Sequence, residues 1–278
     1  MPSLLAAVLF LVVLPACHAT LTPPHPPVTI RVGGADAMQT LAHDLATAYH
    51  QTHPYATINI QPSNSDNALR QMSLGGLDLA FISRHVQADE ITHRPARIVE
   101  IARDGIVLVV HPSNPLTALS RQQISQVYAG DIINWNDLKV SPTGDSSPIQ
   151  VLSREGGSGT RSTFEALLMT GLRVTPTALV QSSERDILSY IATHPNAIGY
   201  ISFSNMPTNL QLHLLNIDGI APTLETIQSG SYPLMQSLYL AIPNDIGNDT
   251  SDFVDFIQSP QGQTVIATRA APPQPLPQ

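Results

Sequence analysis

The sequence predicts an α/β fold with largely parallel strands, and three observations carry that prediction. Apolar runs of strand length alternate with segments whose apolar residues recur at helical spacing, in the order β-α-β-α-β. Cap and turn residues stand at the joints between them. The 278 residues are 42% hydrophobic and 12% charged, which suits one large or two ordinary globular domains and excludes a disordered chain, a collagen or a coiled coil.

Val28 to Val32 reads as a buried strand, followed by the loop Gly33-Gly34-Ala35-Asp36. A helix then places Met38, Leu41, Leu45, Ala48 and Tyr49 on one face and ends before Pro54. Thr57 to Ile60 is a short strand. Ser63-Asn64-Ser65-Asp66 is a run of cap residues opening a helix with Leu69 and Met72 inward, closed near Gly75-Gly76. Asp78 to Ser83 and Gly105 to Val110 are further strands.

The middle of the chain repeats this grammar. Ser120 and Gln123 form a capping box for a helix carrying Ile124, Val127 and Tyr128, which Gly130 ends. Ile149 to Leu152 is a strand running directly into Arg154-Glu155-Gly156-Gly157-Ser158-Gly159-Thr160. A helix with Phe164, Leu167 and Leu168 follows and stops at Gly171, and another carries Ile187, Leu188 and Ile191. Ala197 to Ser202 and Leu238 to Ile242 complete the strands, and Trp135 reads as a core or surface anchor.

The charge balance, 13 Lys+Arg against 21 Asp+Glu, leaves no basic stripe, so a nucleic-acid partner is not expected. The same acidity does not exclude a buried anion, because such a ligand feels the few dipoles aimed at it more than the net charge. Leu4 to Leu14 is an apolar run of signal-peptide length, too short to span a bilayer. It ends in Leu14-Pro15-Ala16-Cys17, similar to a bacterial lipobox apart from Pro15 and the absence of a preceding Lys or Arg. Residues 1–17 are therefore expected to be a signal segment with lipidation at Cys17, anchoring an exported protein to the membrane. An ordinary cleaved signal is the alternative, and either one exports the chain to the periplasm or the outer face of the cell membrane. Cys17 is the one cysteine, so no intramolecular disulfide is expected. Residues 18–27 form a proline-rich linker and 271–278 a disordered tail of similar composition. His43, His50 and His53 have partly helical spacing but no accompanying carboxylate or cysteine set, so no metal or other cofactor is expected.

The chemistry concentrates in Arg154 to Thr160. A strand, then Arg-x-x-x-Ser-Gly-Thr, then an amphipathic helix is a means of holding an oxyanion. The first N–H groups of a helix lack intrahelical partners, and the macrodipole places partial positive charge there. Glycines allow close backbone approach, Ser158 and Thr160 add hydroxyls, and Arg154 supplies a planar cationic fork. The same letters also suit a merely capped turn. A P-loop is excluded because the sole lysine, Lys139, precedes Val140, and a nucleophile elbow because Thr160 stands two after Ser158. The loops at Gly34 to Ala37 and Ser63 to Asp66 share this character, and three helix starts facing one cleft would surround an anion with neutral donors.

These pieces together resemble the phosphate-binding proteins of ABC-type phosphate uptake systems, in the periplasmic-binding-protein superfamily. The resemblance covers nearly the whole mature chain. It rests on Gly75 to Ala80 with Ser83-Arg84, Asp104 to Val107, Tyr128-Ala129-Gly130 before Asn134-Trp135, Arg154 to Thr160 with Phe164, Ala197 to Tyr200, and Tyr232-Pro233-Leu234. It implies a two-lobed α/β fold with two hinge strands, one lobe from residues 28–108 and 240–270 and the other from 109–239. It further implies a monomer that closes on inorganic phosphate and presents it to an ABC permease, without enzymatic chemistry. By the same resemblance Arg154, Ser158, Gly159 and Thr160 are ligands from the second lobe. Ser65 and the loop Ser83-Arg84 are ligands from the first.

The first loop departs from the family pattern. Gly34-Ala35-Asp36-Ala37 replaces the usual Gly-Ser-Thr-Ser/Thr, which leaves the Ala37 N–H as donor. Asp36 either points away or accepts a proton from monohydrogen phosphate, which would disfavour sulfate. The alternatives are another tetrahedral oxyanion (sulfate, molybdate or tungstate), a secreted hydrolase with Ser158 as nucleophile, and a sensing or adhesion role.

Overall fold

The computed structural model describes residues 25–140, 148–207 and 213–273. The expected signal segment, Cys17 and most of the linker and tail lie outside these residues. Among the described residues no helix is long and apolar enough to cross a membrane.

The first part of the chain forms β1 (Val28–Ala35), a 3-10 turn (Asp36–Met38), α1 (Gln39–Thr52), β2 (Ala56–Ser63), α2 (Ser65–Ser73), β3 (Leu79–Ile82) and β4 (Ala96–Val110). After β5 (Ala118–Leu119) come α3 (Arg121–Ala129), β6 (Gln150–Arg154), α4 (Gly159–Leu168), β7 (Leu179–Gln181), α5 (Glu184–Ile191) and β8 (Ala197–Ser202). The last part contains β9 (His213–Leu214), β10 (Asn216–Ile217), α6 (Leu224–Gln228), β11 (Met235–Pro243), α7 (Asn248–Gln258) and α8 (Pro260–Ala267). The caps act as expected: Ser120 and Gln123 close a reciprocal capping box, and Gly130 ends α3 in the left-handed region at φ 85°.

One curled sheet runs β2-β1-β3-β11-β4-β8-β6-β7, with β9 beside β4, while β5 and β10 pair separately. The pairings β1 with β2 and β3, and β6 with β7 and β8, are parallel. Those of β11 with β3 and β4, and of β4 with β8, are antiparallel. The sheet is thus mixed, not largely parallel as the local pattern suggested, because β4 and β11 each return against their neighbours from far along the chain.

Strand β4 joins two lobes. Its residues Ala96–Gly105 pair with β11, and Ile106–Val110 pair with β8. Beside it the chain returns through Tyr232 and Leu234, where the Ile106 N–H donates to the Leu234 carbonyl at 2.8 Å. The Tyr232 hydroxyl donates to the Ile106 carbonyl at 3.1 Å. Gly105 lets Ile227 and Tyr232 pack closely on this junction, since a Cβ there would lie 2.8 Å from Ile227 Cδ1 and 3.2 Å from Tyr232 Cδ1. One lobe packs Ile30, Leu41, Tyr49, Phe81, Leu240, Phe253 and Ile257 into its core. The other packs Val107, Tyr128, Trp135, Phe164, Ile187 and Tyr200. Trp135 is a core residue whose indole N–H donates to the Asn196 carbonyl at 3.1 Å. Ordered structure also extends into the expected tail, since Ala271 is fully buried and pairs with Arg103.

Candidate functional site

Strands β1, β2, β3 and β6 all deliver their C-terminal ends to the gap between the lobes. In open α/β sheets this is where ligands are held, because the helix starts that follow the strands point their free N–H groups there. Local sequence fixes each start. Asn64 caps α2 by accepting from the Asn67 N–H at 2.9 Å, and Ser158 caps α4 by accepting from the Arg161 N–H at 3.3 Å. The 3-10 turn after β1 leads straight into α1. These elements enclose a small, tightly closed cleft lined by Ala35, Asp36, Ala37, Asn64, Ser65, Ser83, Arg154, Ser158, Gly159 and Thr160.

The two lobes touch here. A Cβ on Gly159 would lie 2.4 Å from both Ser65 Oγ and Ser83 Oγ, so only glycine lets the start of α4 meet the first lobe. The Asp66 N–H donates to the Gly157 carbonyl at 3.2 Å, and the Thr163 hydroxyl to the Ser83 carbonyl at 3.3 Å. Ser65 Oγ accepts from the Ser83 N–H at 3.1 Å, which ties the two loops of the first lobe together.

Arg154 is the one cation lining the cavity, and its side chain is 1% exposed. Its Nε and Nη2 grip the Glu155 carboxylate at 2.9 and 3.1 Å. Nη2 also donates to the Ser182 carbonyl at 3.2 Å, and Nη1 to Asp36 Oδ2 at 3.0 Å. A guanidinium has five N–H donors, and among the described residues the second N–H of Nη1 has no hydrogen-bond acceptor. Asp36 is therefore turned toward Arg154, and its Oδ2 also accepts from the Glu184 N–H at the start of α5, at 2.6 Å. Burial raises the Asp36 carboxyl above its ordinary range, against the pull of Arg154 and of that N–H.

Sequence reasoning missed Glu184. It is buried, and its carboxylate accepts from the Thr160 hydroxyl at 3.3 Å and the Asn205 side-chain amide at 3.0 Å. Burial, and then Asp36, push it up to about 7. The signal was present in Ser183-Glu184, a cap and first helical residue after a short strand, but an acidic first turn ordinarily faces solvent. Asn205 was also missed. It donates to the Asp36 carbonyl at 3.2 Å and accepts from the Thr40 hydroxyl at 2.5 Å, linking the lobes again.

All but one of the residues named from sequence thus gather at the cavity. Arg84 does not line it. Its guanidinium donates instead to Asp66 at 2.8 Å and to Glu90 at 2.9 Å, and it faces a separate groove with His85, Gln87 and Tyr239.

Known proteins are similar to this chain over most of its length. The phosphate-binding protein PstS of Bacillus subtilis is 26% identical over 243 residues, covering 86% of this chain and 78% of that protein. A putative phosphate ABC transporter substrate-binding protein from Clostridium perfringens, solved with bound phosphate, matches with a TM-score of 0.81 at 28% identity. It covers 89% of this chain and 100% of its own. An ABC-type phosphate transport receptor from Vibrio cholerae matches with a TM-score of 0.68 at 26% identity, covering 87% of this chain and 100% of its own. A family model described as the PBP superfamily domain matches residues 21–261, which takes in most of both lobes, both passes between them and every residue lining the cavity. With its cleft at the strand ends and its match along nearly the full chain, the protein belongs to the PBP superfamily.

Proposed function

We propose that the protein is an extracytoplasmic solute-binding protein that captures inorganic phosphate between its lobes and delivers it to an ABC permease. The observation that carries this reading is the convergence of helix starts, hydroxyls and the buried Arg154 guanidinium on one small cleft between the lobes. The similarity to phosphate-binding proteins at 25 to 28% identity supports the choice of ligand.

In this reading Arg154, Ser158, the N–H groups of Gly159 and Thr160, Ser65, Ser83 and the Ala37 N–H hold the anion, and Asp36 takes its proton. Arg84 braces the loop of the first lobe from outside. Residues 28–108 with 240–270 and residues 109–239 move as two bodies. The change of partners along β4 between Gly105 and Ile106 supports a hinge there. Ligand would favour the closed form, which the permease would recognise. The protein is exported on residues 1–17, is held at the membrane through a lipid on Cys17, and works as a monomer.

A hydrolase using Ser158 gains no support from the geometry. Ser158 Oγ caps α4, and no histidine lines the cavity. Calorimetry of the mature protein against phosphate, sulfate, molybdate and tungstate tests the proposal. Phosphate is expected to bind tightest, and a preference for sulfate would overturn it.

A further inference from the structure

We infer that Glu184 is a positioning residue that carries a proton when the cavity holds its anion, and that this proton returns the Thr160 hydroxyl to the ligand. The inference rests on the reading of the cavity as an anion site and concerns how that site is charged.

The groups around the cavity do not balance. Arg154 is the one cation lining it, while Asp36 and Glu155 both bond to that guanidinium and Glu184 Oε1 lies 3.9 Å from Nη1. The nearby cations are spent elsewhere. Arg84 is held by Asp66 and Glu90, and Arg161 donates to Glu165 and to the Arg154 carbonyl. Fully ionised, these carboxylates would outweigh Arg154 and repel a phosphate ion at close range, where low polarity strengthens the repulsion.

A proton on Glu184 removes part of the excess, gives up only the long 3.9 Å ion pair with Arg154, and keeps the contacts to Thr160 and Asn205. When ionised, Glu184 can only accept, and it takes the single O–H of Thr160. Thr160 lines the cavity, so that O–H is then withheld from an anion. When protonated, Oε1–H donates to Thr160 Oγ1 across the same 3.3 Å contact, and the Thr160 O–H turns to the ligand. Oε2 goes on accepting from Asn205. One proton, taken from solvent, thus lowers the negative charge by one and adds one donor.

The charged groups facing Glu184 come from every side. Asp36 approaches from the turn after β1, Arg154 from the end of β6, and Asp104 from β4. Glu155 and Asp186 act on the same cluster through Asp36. Arg154 and the hydrogen bonds from the Asn205 side chain and the Ser202 backbone favour the ionised form; burial and then Asp36, which are the larger effects, hold the proton on Glu184 near neutral pH.

The test is phosphate affinity of the wild type and of Glu184→Gln from pH 5.5 to 8.5. Glutamine has the shape of the protonated acid and can donate to Thr160 while accepting from Asn205. The ionisation of phosphate itself cancels in the ratio of the two dissociation constants. That ratio is expected to be near one at pH 5.5 and to rise to about 30-fold by pH 8.5, for a site competent only when a group with pKa about 7 is protonated. A ratio that stays flat overturns the inference, whether or not the variant is weaker throughout. If neither protein binds phosphate, the functional reading falls, and a ligand-free arm still examines the proton. Glu184 is raised in the folded state from 4.5 to about 7, so the native protein holds a proton that the unfolded chain releases across that window. The urea midpoint of the wild type should therefore fall relative to that of Glu184→Gln as pH rises from about 4.5 to about 7, then stay level. A constant difference between the two would show that Glu184 holds no such proton, and would also overturn the inference.

Discussion

Asp36 Oδ2, at the end of the first lobe's leading strand, accepts from Arg154 Nη1 of the second lobe at 3.0 Å. The same oxygen accepts from the Glu184 N–H at 2.6 Å, so one carboxylate holds both the cation and a helix start of the opposite lobe. This bridge occupies part of the fork that the cavity needs.

Replacing Asp36 with Asn keeps an acceptor for the Glu184 N–H and removes a negative charge from the cavity wall. Sulfate, which has no proton to offer a carboxylate, should gain affinity more than phosphate does. Competition calorimetry is expected to show the phosphate preference narrowed by about tenfold or more, the scale of one charge-assisted hydrogen bond. Unchanged discrimination would show that Asp36 does not read the ligand's proton.

Arg154→Lys replaces a five-donor fork with a point charge that cannot hold Glu155, Asp36 and the Ser182 carbonyl together. Phosphate affinity should fall by about 100-fold, and thermal stability should drop as well, because one ammonium cannot pair with the Glu155, Asp36 and Glu184 carboxylates at once. Calorimetry and a melting curve on the same sample check both effects.

Gly159→Ala places a methyl group 2.4 Å from Ser65 Oγ and Ser83 Oγ. Within the second lobe α4 can keep its fold, so the clash falls on lobe closure. The expected result is a protein with a near-normal melting temperature, much weaker phosphate binding, and no compaction on adding phosphate in small-angle scattering.

Arg84→Ala separates the family pattern from this chain's geometry. Its guanidinium is committed to Asp66 and Glu90, outside the cavity. Phosphate affinity should change by less than about threefold, with a stability loss of about 1 kcal/mol from two partly exposed ion pairs. A loss comparable to that of Arg154→Lys would place Arg84 on the ligand after all.

Much of the site was legible because its parts are local. Ser65, Ser158, Gly159 and Thr160 stand where a strand passes into a capped helix, and cap chemistry is written within four residues. The first half of β4 was not legible. Ala96 to Asp104 mixes Arg, Glu and Asp with apolar residues, and it is strand because β11 lies against it, from more than a hundred residues away. Helices α7 and α8 escaped notice for a related reason: their apolar faces, with Phe253, Val254 and Ile257, make sense only against the core that α1 and β1 present.

The sequence alone determined that strand–cap–helix units would present N–H groups and hydroxyls, with Arg154 among them, because hydrogen bonding and helix polarity act over a few residues. It could not decide where the carboxylates would fall. That Asp36 turns to Arg154, that Arg84 turns away to Asp66 and Glu90, and that Glu184 lies buried behind Thr160 are outcomes of packing two lobes together. Charges from distant segments meet only when the chain has folded. Once water is excluded, each charge must find a partner or a proton, and the tertiary structure decides which.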